Sequence, residues 1–207
     1  MPATRTATYC SRRTSGHSLV ELMVVIAVGL CVMVVALPNL AEVVANARIR
    51  GAMSNVAATA QACRIQAVKE NTSKRMHIGS VNGRLMAFVK SATDASNAPA
   101  TGDTQVVLPA GVNLYSAPTG EGSPSQLTAE IMWGSGMNPD TGKDTYFNSR
   151  GMPCDMDADG VCGPTPGFVY YFSIPRSLGG VTWAALGVSP AGRVKAWYWN
   201  GSYWGCD

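Results

Sequence analysis

The sequence predicts an α+β protein: one long N-terminal helix packed on a head built mainly of antiparallel strands. Three observations lead there. An apolar run extends from Leu19 to Leu37 with Glu21 as its only charge. Apolar and small residues then continue at helical spacing as far as Glu70. Beyond Lys74, short apolar segments alternate with turns rich in Gly, Pro, Ser and Asn.

The N-terminal elements follow from charge and length. Residues 1–16 carry Arg5, Arg12 and Arg13 and no acid. The run Leu19 to Leu37 would span roughly 28 Å as a helix, close to a bilayer core. Arginines before it place the leader on the cytoplasmic side. A secretory signal or a plain anchor is the simpler reading. However, a signal peptide has its small-residue cleavage site after the apolar core. Here Gly16 comes before it. That order favours a cytoplasmic cut with the helix kept. A carboxylate inside a membrane-length segment costs on the order of 2.5–3.5 kcal/mol by insertion scales, so Glu21 reads as functional.

The string Gly16-His17-Ser18-Leu19-Val20-Glu21-Leu22-Met23-Val24-Val25-Ile26-Ala27 resembles the class III signal of type IV pilins and type II secretion pseudopilins. Pro38 falls where that family has a helix-kinking proline. The resemblance covers residues 12–50. It implies that a prepilin peptidase cuts after Gly16 and methylates the new terminus at His17, where the family usually has an aromatic residue or Met. It makes Glu21 the assembly carboxylate. In a bundle of apolar helices, the amine of an incoming subunit can meet Glu21 of its neighbour and set the axial register. It also implies a single-pass inner-membrane protein with a periplasmic head, an inner-membrane assembly platform as partner, and a filament at the cell surface.

The resulting organisation is a leader (1–16), a transmembrane assembly helix (17–38), an amphipathic helix entering the head (39–72) and a β-rich head (73–207). The helical pattern in the third segment is Leu40, Val43, Val44, Ala47, Met53, Val56, Ala60, Cys63, Ala67, ending at Asn71 to Lys74. Strands are expected over 84–90, 105–108, 112–115, 130–133, 168–172, 181–186 and 193–199. Segments 91–102 and 116–125 read as exposed loops. One helix before a β head is the pilin plan. Two later pieces, Tyr146 to Gly151 and Val188 to Val194, resemble the GspH/FimT group of minor pilins and pseudopilins.

Charge and cysteines bound the rest. The formal charge of +3 equals the number of leader arginines, so the remainder is neutral. Any nucleic-acid site must therefore be local. Cys63, Cys154, Cys162 and Cys206 lie beyond the membrane run, where disulfides can form. Four cysteines allow three pairings. Cys154 with Cys162 brackets a short loop and is favoured, leaving Cys63 with Cys206. Zinc is the alternative, but no CxxC pair is present.

Two local sites stand out. Asp155, Asp157 and Asp159, followed by Gly160, match the first half of a calcium loop. The twelfth position is Pro166 rather than Glu, so a solvated acidic turn closed by a disulfide is the competing reading. No other cofactor is indicated. The second site is Gly192-Arg193-Val194-Lys195-Ala196-Trp197-Tyr198-Trp199. As a strand it would place Arg193, Lys195, Trp197 and Trp199 on one face, with cations for phosphates and rings for stacking. GRVK resembles the GRxR motif of FimT-type DNA-uptake pilins, with a Lys that keeps the charge but loses the planar fork. Against this, the tryptophans read equally as core. His77 is isolated in sequence, and there is no GxSxG, Walker loop or HExxH, so no enzyme is read. The function expected is a structural or initiating minor pilin or pseudopilin in a type IV pilus or type II secretion filament, with a DNA-binding subunit for natural transformation as the alternative.

Overall fold

A computed structural model of the chain describes residues 18–115, 138–139, 144–157, 159–165, 167–176 and 179–206, with the side chains of 35–39 and 138–139 outside the description. The elements are one helix and twelve strands: α1 (Leu19–Glu70), β1 (Lys74–Val81), β2 (Arg84–Ser91), β3 (Gln105–Val107), β4 (Asn113–Tyr115), β5 (Asn138–Pro139), β6 (Thr145–Phe147), β7 (Pro153–Met156), β8 (Cys162–Pro164), β9 (Phe168–Pro175), β10 (Val181–Val188), β11 (Val194–Trp199) and β12 (Trp204–Cys206). The chain divides into two compact units, Met1–Asn39 and Leu40–Asp207.

In the second unit, α1 packs on two sheets. The first has strand order β3-β2-β1-β6-β7-β8. The second has order β12-β11-β10-β9-β4, with β5 also pairing β9. All ladders are antiparallel except β5 with β9. The class is α+β, as the sequence predicts.

One stripe of α1 faces the sheets: Ala45, Ile49, Ala52, Met53, Val56, Ala60, Cys63 and Ala67 are buried. Met76, Ile78, Ala87, Val89 and Phe147 meet it from the first sheet, and Phe168, Tyr170, Phe172, Leu186 and Val188 from the second. The spacing of three and four residues keeps this stripe on one side of the helix. Leu40, Val43, Val44 and Ala47 fall outside it and are exposed. The expected apolar face is therefore mis-phased as far as Ala47. The small residues Ala52, Ala60 and Ala67 let strands approach the helix closely.

The helix ends at Asn71, which has φ 52°. Thr72 N donates to Ala67 O and Asn71 N to Val68 O. This pair of bonds is a Schellman cap, with Asn tolerating the left-handed turn. Six of the seven expected strands coincide with β2, β3, β4, β9, β10 and β11, though Arg193 lies just before β11 rather than in it. The expected strand 130–133 and loop 116–125 lie outside the described residues. β1, β5, β6, β7, β8 and β12 were not expected.

Candidate functional site

The described part of the first unit begins at a helix cap. Glu21 N donates to Ser18 Oγ at 3.2 Å and Leu22 N to Ser18 O at 3.2 Å. Ser18 is thus the N-cap and Glu21 stands three residues later, the arrangement of a capping box, where its charge also meets the positive helix end. From Leu19 to Val34 every large apolar side chain is at least 54 % exposed. A helix apolar on all sides needs cover from lipid or from other helices. Among the described residues no helix is long and apolar enough to cross a membrane. Gly16 and His17 lie outside the described residues. Pro38 falls within α1.

On the head, two turns converge on one helix residue. Asn148 to Met152 forms the first, closed by Asn148 N to Met152 O at 2.9 Å and Gly151 N to Asn148 O at 2.8 Å. Ser189 to Arg193 forms the second, closed by Ser189 N to Arg193 O and Gly192 N to Ser189 O, both 2.8 Å. Arg64 Nη1 donates to Gly192 O at 3.1 Å. Gly151 (φ 73°) and Gly192 (φ 76°) both need the left-handed region. A Cβ on Gly151 would sit 2.9 Å from Val68 Cγ2, and one on Gly192 would sit 3.1 Å from Gly151 O. Both turns therefore touch Arg64 and each other. This gives a physical role to the two sequence pieces that resemble the GspH/FimT group.

The expected nucleic-acid face is corrected by burial. Arg193 belongs to the second turn and is exposed. Lys195 is half-buried, with Nζ 5.4 Å from the Trp197 ring centre. Trp197 and Trp199 share the expected face but are only 3 % and 7 % exposed. They pack with Val169, Tyr171, Ala185 and Trp204 in a second core on the far side of the sheet. β12 closes it, bringing Trp204 5.7 Å from Trp199 and 6.2 Å from Tyr171 between ring centres. These rings cannot serve as open stacking platforms. Burial pushes the Tyr171 hydroxyl up to about 12.

The acidic loop is the tip of the β7–β8 hairpin. Cys154 and Cys162 form a disulfide, with Cα atoms 5.3 Å apart. Asp157 Oδ1 accepts Val161 N at 2.7 Å and Asp159 N at 3.1 Å. Its carboxylate organises the turn from within, and Asp155 and Asp159 do not converge with it. Among the described residues no three His, Cys, Asp or Glu side chains gather to hold a metal ion. The expected calcium site is not assembled. Cys63 and Cys206 are both free, Cys63 buried and Cys206 exposed. The expected second disulfide is absent because Cys63 points into the core from α1 while Cys206 sits on the edge strand β12. Burial pushes the Cys63 thiol far above its ordinary value.

His77 is not isolated in space. On the outer face of the first sheet, Asp144 accepts hydrogen bonds from Arg75 Nη1 and, at 2.5 Å, His77 Nδ1. Lys90, opposite Arg75 in the ladder, bonds Asp94 at 2.6 Å. Lys90 and the Ser96 amide hold the Asp94 carboxyl well below its usual range. Arg75 Nη2 also donates to Ser96 O. Residues 94–103 are thereby strapped across Arg75 and Lys90, which, like His77, are buried. A cavity of about 640 Å³ lies where the chain crosses from β3 to β4, lined by Ser80, Arg84, Leu85, Leu108, Val112 and Asn113 among others; among the described residues no acid or histidine lines it.

Residues 11–37 match the prokaryotic N-terminal methylation motif. The match contains Gly16, His17 and Glu21 and ends before the head. It supports a pilin or pseudopilin-type subunit: membrane anchoring, processing by a prepilin peptidase and assembly with other pilin subunits. It points to a structural protein rather than an enzyme. No curated protein and no solved structure matches the chain.

Sequence reasoning missed Ser18, Arg64 and the Arg75–His77–Asp144 group. Ser18-x-x-Glu21 is a legible capping signal. Arg64 carries no local signal, since its partner lies 128 residues away. The clue for β1 was alternation of Met76 and Ile78 with Arg75 and His77, which reads as a half-exposed strand only if charge on the second face is allowed.

Proposed function

We propose that the chain is a minor pilin or pseudopilin of the GspH/FimT type, inserted in the inner membrane with its head in the periplasm and drawn into a filament. The leader would be 1–16, the assembly helix 17–38, its continuation 39–72 and the head 73–207. The reading is carried by one coincidence. The methylation motif at 11–37 falls on a helix start whose apolar side chains are exposed all round and whose only charge is Glu21.

Processing is tested by mass spectrometry of membrane-extracted protein, which should begin at His17. An N-terminus at Met1 overturns the proposal. Glu21 has two roles to separate, helix capping and subunit register. Gln also completes a capping box. Glu21→Gln should therefore preserve helix content while lowering incorporation into sheared filaments. Normal incorporation would make Glu21 a cap alone.

The alternative, a DNA-binding subunit for uptake, draws on cations only: Arg193 exposed in its turn and Lys195 beside it. Retardation of duplex DNA that falls steeply with salt would support it. Failure of the full-length protein to retard DNA at low salt removes it.

A further inference from the structure

The outer edges of both sheets border the cavity between β3 and β4. β3 ends the first sheet and β4 the second. Among the described residues each is paired on one side only, β3 with β2 and β4 with β9. Val89 N donates to Thr104 O and Leu108 N to Leu85 O, both at 2.9 Å. In an antiparallel ladder alternate residues turn their main-chain groups to the partner strand. Residues 104, 106 and 108 therefore face β2, and Gln105 and Val107 turn their N–H and C=O groups outward. Val107 also lines the cavity and is 44 % exposed.

The cavity beside this edge combines an apolar wall with one cation. Leu85, Leu108, Val112 and Leu114 line it, Leu108 and Val112 being buried and the other two half-buried. Arg84 is the one charged residue among the described residues that line it. It is exposed and takes part in none of the ion pairs of the described residues. A volume of about 640 Å³ holds several side chains. An unpaired guanidinium beside an apolar wall favours a carboxylate carried among apolar groups. Main-chain groups that turn outward at every second residue, roughly 7 Å apart, match the repeat of an extended peptide and of no compact solute.

We propose that the β3 edge and the adjoining cavity bind an extended peptide segment of a partner protein, added as a strand beside β3, with apolar side chains at alternate positions and a Glu or Asp side chain for Arg84. Main-chain bonds to Gln105 and Val107 supply affinity, and the cavity supplies sequence preference. β3 is three residues long, so the ladder is limited to a few bonds. An edge that short does not pair indiscriminately, and the cavity decides which strand is held. The proposal concerns the head alone and stands whether or not the chain is a filament subunit.

The test uses the full-length protein in detergent. Random seven-residue peptides displayed on phage are selected on it, and the enriched sequences are synthesised with both ends capped and a fluorescent label for anisotropy. Sequences with apolar residues at alternate positions and one Glu or Asp should emerge. Arg84→Glu should weaken their binding at least about tenfold. The same peptides with Lys in place of the acid should bind that variant better than they bind wild type, a gain that misfolded protein cannot give. Methylation of the peptide amide nitrogens at every second position should abolish binding in one phase and spare it in the other, because only alternate amides face β3. Selection that yields no such sequences overturns the proposal, as does equal binding by Arg84→Glu or methylation that acts alike in both phases. Should octanoate bind in an Arg84-dependent manner while the peptides do not, the cavity takes a small amphipathic acid and the proposal falls.

Discussion

His77 Nδ1 lies 2.5 Å from Asp144 Oδ1, and the other oxygen of the same carboxylate accepts from Arg75. The side chains are 11 %, 12 % and 4 % exposed in that order of naming. Removing the carboxylate leaves a buried guanidinium without its counter-charge, which typically costs about 3–5 kcal/mol. Asp144→Ala should lower stability by that order, read as a fall in the urea midpoint. Asp144→Asn should cost nearly as much, because it keeps the shape and removes the charge. Near-wild-type midpoints for both would mean the group is solvated.

Gly192→Ala should destabilise the head by about 1–3 kcal/mol, from a left-handed φ and crowding against Gly151 O. Gly151→Ala should do the same against Val68. Because both turns rest on Arg64, the two losses should not add. Additive losses in the double variant would show the turns to be independent.

Alkaline stability should report Tyr171. Its hydroxyl is pushed up to about 12 from 10.0 by burial. The unfolded state therefore releases the proton first. Stability is fully present below pH 10 and is lost progressively between about pH 10 and 12, by roughly 2–3 kcal/mol. Urea midpoints across that range should fall, and Tyr171→Phe should fall less. An identical decline in the variant assigns the effect to other tyrosines.

The acidic tip should behave as a turn. Millimolar calcium should leave the melting temperature unchanged. Asp157→Ala should lower stability by about 1 kcal/mol, through the two amides its carboxylate satisfies. Replacing Cys154 and Cys162 by Ala should cost roughly 2–3 kcal/mol by the chain-entropy model. A calcium-dependent rise that Asp157→Ala abolishes would restore the metal reading.

A thiol reagent should separate the free cysteines of the head. Cys206, exposed on β12, should label in the native protein. Cys63, buried with its thiol proton held, should label only after denaturation. Protection of both in the native state would bring back their pairing.

Much of the fold could be read locally. β2, β9 and β10 carry runs such as Phe168 to Phe172 bounded by Gly and Pro, and Asn71 marks the helix end because few residues take a positive φ. What stayed hidden depended on distant partners. β1 was missed because Arg75 and His77 look solvent-facing until Asp144 bonds both and the 94–103 strap crosses Arg75. Trp197 and Trp199 were placed on the right face, yet only Trp204, from a three-residue edge strand, decides that this face is closed. Pairing Cys63 with Cys206 followed from counting, which knows nothing of the direction in which α1 points Cys63. At the N-terminus the helix start and its lone carboxylate were legible, while the cap from Ser18 went unnoticed beside the stronger hydrophobic signal.

The bond from Arg64 to Gly192 links residues 128 apart in sequence, and β9 and β10 contribute Phe168, Tyr170, Phe172, Ile174, Ala184, Leu186 and Val188 to the cluster that holds the core stripe of α1. Much of that cluster is thus made late in synthesis. Until Phe168 and the residues after it have emerged, Ile49, Met53 and Val56 have only the first sheet against them. Closing so long a loop is entropically slow. A nascent head must therefore wait, half-built, for its last forty residues (roughly the span that forms β9 to β12). Truncations anywhere in that span should leave an aggregation-prone helix rather than a smaller folded head.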